Sequence, residues 1–193
     1  MSLQERIYSV LLVSSSEKFN GAVSELLPLN RYLVTGASGV IAAKRVLAER
    51  DFDFIIVNSP LSDGDGIRFS IDAGFGRNTV VLLLVQSARY ADCFDKAAGF
   101  GVFMLSKPVS RQSMLLALDW LTSARERLRQ TEKKVLSVEE KIDEIRLVNR
   151  AKWLLISELK MTEPDAHRYI EKQAMDRCVQ KRRIAEEIIK TYG

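Results

Sequence analysis

The chain has 193 residues, of which 47% are hydrophobic and 28% are charged, as expected of a globular protein with one medium domain and a smaller one. No apolar run approaches the roughly 20 residues that a membrane-spanning helix needs, so we expect no membrane partner. A single histidine and two distant cysteines, Cys93 and Cys178, give no metal-binding spacing. We therefore expect a cytoplasmic protein with free thiols, no metal and no cofactor.

The charge is distributed unevenly along the chain. Residues 1–120 hold 12 basic and 12 acidic side chains, whereas residues 121–193 hold 17 basic and 13 acidic ones. The net charge of +4 therefore comes from the second part alone. Such an asymmetry indicates two parts with different partners.

The first part alternates short apolar runs with amphipathic stretches. Runs rich in Val, Ile and Leu without strict alternation are typical of strands that are buried on both faces. Five such runs alternating with helices predict an α/β fold, a flavodoxin-like doubly wound five-stranded parallel sheet. The predicted strands are Ile7–Val13, Tyr32–Thr35, Phe54–Val57, Val80–Val85 and Val102–Leu105. The predicted helices are Glu17–Leu27, Val40–Glu49, Ile67–Ala73 and Tyr90–Ala98.

Ligands of such a sheet bind at the carboxyl ends of its strands. These ends carry Ser14 and Ser15 after the first strand, Asn58 after the third, Leu84 at the fourth and Lys107 after the fifth. The stretches DFIIVNSPLSDGDG and FMLSKP, around the third and fifth strands, resemble the receiver domain of bacterial two-component response regulators. The resemblance covers roughly residues 6–120.

The resemblance implies what a working site should contain. Receivers hold Mg²⁺ with two acidic residues where this chain has Ser14 and Ser15, and they accept the phosphoryl group on an Asp where it has Asn58. They have Ser or Thr where this chain has Leu84 or Val85, so only Lys107 of the set is retained. A hard divalent cation needs carboxylate oxygens, and an amide forms no aspartyl phosphate. We interpret residues 1–120 as a pseudo-receiver with no catalytic residue.

Two features of this site are open to more than one interpretation. Lys107 is either a remnant of the family's site or a hydrogen-bond donor to Asn58 that holds the loop. Asp63 and Asp65, in the loop after the third strand, are interpreted as turn residues, because Gly, Asp and Ser dominate turns.

Residues from Ser110 to about 159 contain no turn signal and predict one long helix. Within residues 121–149 the apolar side chains follow a seven-residue repeat, with β-branched residues and one Asn at a positions, which favours a two-stranded parallel coiled coil. Lys134 would attract Glu139 of a second copy, while Lys141 and Arg146 would repel each other. The alternative is a helix packed on its own domain. The predicted dimer contacts are Leu121, Leu128, Val135, Val138, Ile142, Ile145 and Asn149.

Residues 146–193 predict a small all-α domain of three helices. The second helix begins after the cap residue Thr162, with Pro164 in its first turn. The order of Ala151-Lys152, Leu155, Thr162–Ala166, Ala174-Met175 and Ile184-Ala185 resembles the ANTAR domain of transcription antitermination regulators. The resemblance implies binding to stem-loops in nascent leader RNA. One departure from the family pattern is Trp153, where a small residue is usual.

Basic, amide and aromatic side chains of this domain are candidates to neutralise phosphates and to stack on unpaired bases. The candidate RNA-binding residues are Lys152, Arg168, Tyr169, Lys172, Gln173, Arg177, Gln180, Lys181, Arg182 and Arg183. The alternative for such a group is a solvated charged face.

The sequence predicts a non-enzymatic regulator that binds leader RNA as a homodimer and prevents transcription termination. A sensor protein or a ligand at the pseudo-receiver is a further expected partner. One alternative is a DNA-binding response regulator, although the second and third helices meet at Cys178-Val179 without a glycine turn. Another is a protein-interaction adaptor that acts through the pseudo-receiver.

Overall fold

The computed structural model describes residues 6–76 and 78–193, which fall into two compact units. The first unit extends to Arg129 and the second begins at Gln130. The boundary therefore lies later than the expected one at residue 120, because the start of the long helix packs on the first unit. No helix in the described part of the chain is long and apolar enough to cross a membrane.

The first unit is a five-stranded parallel sheet, as the sequence predicts. The strands are β1 (Tyr8–Val13), β2 (Tyr32–Ala37), β3 (Phe54–Asn58), β4 (Val80–Gln86) and β5 (Phe103–Lys107), and they lie in the order β2-β1-β3-β4-β5. The helices between them are α1 (Glu17–Ser24), α2 (Val40–Glu49), α3 (Gly66–Gly74) and α4 (Tyr90–Ala97).

Alternate residues of the central strands enter two different hydrophobic cores. Ile55 and Val57 of β3 pack with α2, α3 and α4, whereas Phe54 and Ile56 pack with α1 and the start of the long helix. Both faces of the sheet are therefore covered, which explains why the strand sequences are apolar without alternation.

The second unit contains the end of one long helix and two shorter helices. These are α5 (Arg111–Leu159), which begins in the first unit, α6 (Glu163–Asp176) and α7 (Lys181–Tyr192). Thr162 caps α6 as predicted, because its side-chain oxygen accepts a hydrogen bond from the Asp165 N–H. The core of the unit consists of Ala151, Leu155, Ala166, Ile170, Ala174, Ile184, Ala185 and Ile188.

The structure corrects one predicted dimer contact. Leu121 is fully buried in the first unit, where it packs with Met114, Ala117 and Leu118 of the same helix in the core beneath the sheet. A residue used in this core cannot also lie in a dimer seam. The apolar repeat of α5 therefore serves the first domain up to about Leu121.

A cluster of ion pairs fixes the start of α5 to the amino-terminal edge of the sheet. The carboxylate of Asp53 is buried. It accepts hydrogen bonds from Arg125 Nε at 2.9 Å, from Arg129 Nη2 at 2.7 Å and from the Ser9 N–H. Beside it, Glu126 pairs with Arg6. Burial alone raises the pKa of Asp53, but the hydrogen bond from Ser9 and the charges of Arg129 and Arg125 outweigh it, so the pKa is lowered.

Acid should weaken this cluster. A carboxyl group whose pKa is lower in the folded than in the unfolded chain contributes stability above its ordinary pKa of about 4, and this stability is lost as the pH falls through the lower folded value. We expect Asp53→Asn to reduce the free energy of unfolding at pH 7 by about 2–3 kcal/mol, since two arginines lose their partner. The difference from the wild type should shrink at pH 3.

Urea unfolding followed by circular dichroism at both pH values measures this. Asp92→Asn, which removes the exposed pair with Lys96, is the matched control and should change little. If Asp53→Asn lowered the free energy of unfolding by the same amount at pH 3 and at pH 7, this role of the carboxylate would be ruled out.

Candidate functional site

The polar side chains at the carboxyl ends of β1, β3 and β5 form one connected network. Lys107 Nζ donates to Asn58 Oδ1 at 3.0 Å and also to the Ser59 carbonyl oxygen. Asn58 Nδ2 donates to Ser14 Oγ at 3.0 Å, and Ser14 Oγ in turn accepts the Ser16 N–H. Of the two interpretations of Lys107, the structure supports the hydrogen bond to Asn58. Ser15 is exposed next to this network.

The orientation of the Asn58 amide follows from the chemistry of its neighbours. An ammonium group can only donate hydrogen bonds, so the side-chain oxygen of Asn58 has to face Lys107. The NH₂ group then faces the Ser14 hydroxyl, which can accept. The amide therefore fits between Ser14 and Lys107 without an unfavourable contact.

The fourth strand, predicted as Val80–Val85, ends one residue later in the structure. Leu84 pairs with Asn58 in the sheet, but it is fully buried in the core and β4 continues for two more residues. The exposed residue at the carboxyl end is Gln86, which is paired with Lys107 of β5. The apolar run of β4 gave no sequence signal for the position at which the strand leaves the core.

The two acidic residues of the loop after β3 are helix caps. Both carboxylate oxygens of Asp63 accept backbone N–H groups at the start of α2, from Val40 at 2.8 Å and Ile41 at 2.9 Å. These hydrogen bonds lower the pKa of Asp63. Asp65 caps α3 by accepting the Ile67 N–H at 2.9 Å. The structure therefore supports a structural role for the two side chains.

Among the residues that the structure describes, the positive charge of the strand-end network has no negative partner. The two hydrogen-bond acceptors found for Lys107, an amide oxygen and a carbonyl oxygen, are neutral, and burial lowers the pKa of its ammonium group. Residues 6–76 and 78–193 contain no cluster of three or more His, Cys, Asp or Glu side chains that could hold a metal ion.

In the second unit, five of the candidate RNA-binding residues form ion pairs within the domain. Lys152 Nζ is 2.7 Å from Glu163 Oε1, which links α5 to α6. Two further pairs link α6 to α7: the Arg177 guanidinium binds both carboxylate oxygens of Glu187, and Lys181 binds Glu171. Arg182 pairs with Glu186 and Arg183 with Glu187, both within α7. The three pairs between helices help to hold the domain together.

Arg182 and Gln180 also face an acidic part of α5. Together with Ser137, Glu140, Lys141 and Glu144 they line an open cleft of about 360 Å³. The carboxylates next to Arg182 raise its pKa, Glu186 through a hydrogen bond and charge, Glu140 through charge alone. A phosphate group would have to compete with these carboxylates for Arg182.

The outer face of α6 provides a different surface. Arg168, Tyr169 and Lys172 are exposed, and in the described part of the chain neither Arg168 nor Lys172 forms an ion pair. Arg168 and Lys172 are four residues apart and therefore neighbours on the helix surface. Gln173 is half-buried beside Ala174, on the packed side of the same helix. Arg183 on α7 is 68% exposed and 3.6 Å from Glu187.

The connection between α6 and α7 is a tight turn without glycine. Cys178 adopts the left-handed conformation with φ of 50°, and its N–H donates to the Met175 carbonyl oxygen. The absence of glycine from this part of the sequence is therefore no argument against a turn between the two helices, and the DNA-binding alternative has to be tested directly.

The domain content of the chain follows from its fold and from a family match. Residues 137–189 match the family model of the ANTAR domain, which begins earlier than the expected residue 146. The first unit has the fold of a receiver domain. The chain is therefore a response regulator in which a receiver-like domain is followed by an ANTAR domain.

The chain is homologous over most of its length to a transcriptional regulatory protein. It is 28% identical to the transcriptional regulatory protein PdtaR of Mycobacterium tuberculosis over 186 residues, which cover 95% of this chain and 90% of that protein. The relative is, by its name, a transcriptional regulatory protein.

Two solved structures illustrate the fold of the first unit. A signal receiver domain of an HD domain-containing protein from Pseudomonas fluorescens Pf-5 is 26% identical, with a TM-score of 0.58, covering 67% of this chain and 96% of that one. A chain described as adenylate cyclase from Rhodopirellula baltica gives a TM-score of 0.61 at 17% identity, over 67% of this chain and 97% of that one. The second likeness shows the fold alone.

Proposed function

We propose that this response regulator binds stem-loops in nascent leader RNA through its ANTAR domain and so prevents transcription termination in the cytoplasm. It acts without catalysis and without phosphorylation of its receiver-like domain. The observation that carries the proposal is the outer face of α6, where Arg168, Lys172 and Tyr169 are exposed and Arg168 and Lys172 lack an ion pair within the described residues.

The chemistry of this face suits a structured RNA with unpaired bases. Two neighbouring cations can neutralise adjacent phosphates, and the Tyr169 ring can stack on a base that is flipped out of a loop. The paired residues Lys152, Arg177 and Lys181 hold the helices that present this face. We therefore assign RNA contact first to Arg168, Tyr169 and Lys172, and we keep the exposed Arg183 of α7 as a further candidate.

Replacing Arg168 and Lys172 by glutamine should weaken RNA binding and its dependence on salt. Because two phosphate contacts are lost, the slope of log K against log salt concentration should fall by about 1.5–2. Gel shifts with a leader RNA of paired hairpins, at several salt concentrations, measure the effect.

The matched control replaces Lys44 and Arg45, two exposed basic residues of α2, by glutamine. This control should leave the affinity for RNA and its salt dependence unchanged. A promoter DNA fragment is the competitor. Tighter binding to that DNA than to the RNA would favour the DNA-binding alternative, and binding to neither at low salt would favour the adaptor.

The receiver-like domain should not accept a phosphoryl group. Ser14, Ser15 and Asn58 offer no carboxylate to hold Mg²⁺ or to be phosphorylated, so incubation with acetyl phosphate and Mg²⁺ should leave the intact mass unchanged. The triple substitution Ser14→Asp, Ser15→Asp and Asn58→Asp restores the acidic set and serves as the positive control. A stable acyl phosphate on the wild-type chain would contradict the proposal.

We further propose that α5 forms a parallel dimer with a second copy of this chain through its middle segment. The side chains of Val135, Val138, Ile142 and Ile145 are 44–59% exposed. The residues that line the cleft with α7 lie on the other side of the helix and are polar. The apolar stripe thus lies on the surface that its own domain leaves open, and Asn149 and the Lys134–Glu139 attraction favour a two-stranded coil.

Trp153 departs from the family pattern, in which a small residue is usual at this position. Its side chain is 73% exposed and follows Asn149 by one helical turn, so it extends the same stripe. A large exposed aromatic side chain at this position is explained if a second copy covers it.

Substituting Val135 and Ile142 by glutamate should convert the dimer into a monomer, because four carboxylates would meet in one seam. Lys133→Glu adds a carboxylate outside the stripe and is the control that should remain dimeric. Sedimentation equilibrium at tens of micromolar distinguishes the two states. A wild-type chain that is monomeric under these conditions would exclude this dimer.

A further inference from the structure

The strand-end network of the receiver-like domain has an uncompensated positive charge, and this charge needs an explanation. The half-buried Lys107 ammonium contacts Asn58 Oδ1 and the Ser59 carbonyl oxygen, both neutral. Taking a charge out of water is unfavourable unless an opposite charge offsets the loss of hydration. The described part of the chain provides no carboxylate that pairs with Lys107.

Nearby acidic residues of the following loop are engaged elsewhere. Asp63 directs both carboxylate oxygens to the start of α2, and Asp65 directs one to the start of α3. Each carboxylate is already balanced by the partial positive charge of a helix N-terminus. The site therefore keeps its positive charge.

The same network has unused hydrogen-bond donors. Lys107 has three ammonium protons and two acceptors, and the Asn58 NH₂ group has two protons and one acceptor, Ser14 Oγ. The two groups are in direct contact, since the ammonium nitrogen and the amide oxygen are 3.0 Å apart. One positive charge with adjacent N–H donors and no competing carboxylate is the donor set that an oxyanion requires.

We propose that these strand ends are a binding site for a small oxyanion of the phosphate class, held reversibly by Lys107 and Asn58 without a divalent cation. The loss of the acidic residues converts a site for a cation into a site for an anion. The bound anion is thus a candidate for the signal that acts in place of covalent phosphorylation.

This inference rests on the part of the proposed function in which the domain is not phosphorylated, and it is independent of RNA binding. ³¹P NMR line widths of inorganic phosphate, titrated with the full-length chain in a chelator at constant ionic strength, report reversible binding. We expect saturable broadening for the wild type.

Two substitutions test the assignment from opposite directions. Lys107→Gln removes the charge, and Asn58→Asp keeps the shape of the side chain but places a carboxylate against the anion. Each should weaken phosphate binding at least about tenfold, since a charged hydrogen bond is lost or opposed. Lys96→Gln, at an exposed ion pair on α4, is the control that should bind like the wild type.

No saturable broadening with the wild type, or equal affinity in a folded Lys107→Gln or Asn58→Asp variant, would overturn the proposal. Should Lys107→Gln fail to unfold cooperatively, the isosteric Asn58→Asp variant decides. Acetyl phosphate separates the sources: reversible broadening without a mass change supports an anion site, whereas a retained phosphoryl group contradicts the proposed function.

Discussion

Helix α5 is the constraint on which the rest of the structure depends, because one continuous helix has to contribute to two hydrophobic cores. Leu121 completes the core beneath the sheet, and Ala151 and Leu155 belong to the core of the ANTAR domain. Between them the apolar side chains of Val135 and Ile142 belong to neither. This exposed stripe is the surface through which we propose that a second copy of the chain binds.

The other decisive feature is electrostatic. Receivers combine a lysine with several carboxylates, and this chain keeps Lys107 while presenting Ser14 and Asn58 in the positions of the acids. The result is a complete hydrogen-bond network that connects three strand ends through neutral partners. The fold of the domain is preserved, but its charge is inverted. On our proposal that the domain is not phosphorylated, a signal at this site is carried by something other than an aspartyl phosphate.

Much of the fold could be predicted from the sequence, because the patterns involved are local. The buried strands and the Thr162 cap follow from residue types over short stretches. Leu84 was misplaced because a continuous apolar run does not mark where a strand leaves the core. Leu121 was misassigned because one heptad pattern fits both a domain core and a dimer seam. The pair between Lys152 and Glu163 joins two helices across a turn, so periodicity within either helix could not reveal it.

The central claim is that RNA recognition by the ANTAR domain does not require phosphorylation of the receiver-like domain. The most direct test is the equilibrium affinity of the purified full-length chain for its leader RNA, measured in parallel with and without acetyl phosphate and Mg²⁺, and with an RNA of disrupted hairpins as the reference. The account predicts specific binding to the paired hairpins with the same affinity in both conditions. Binding that appears only after treatment with the phosphodonor would contradict it.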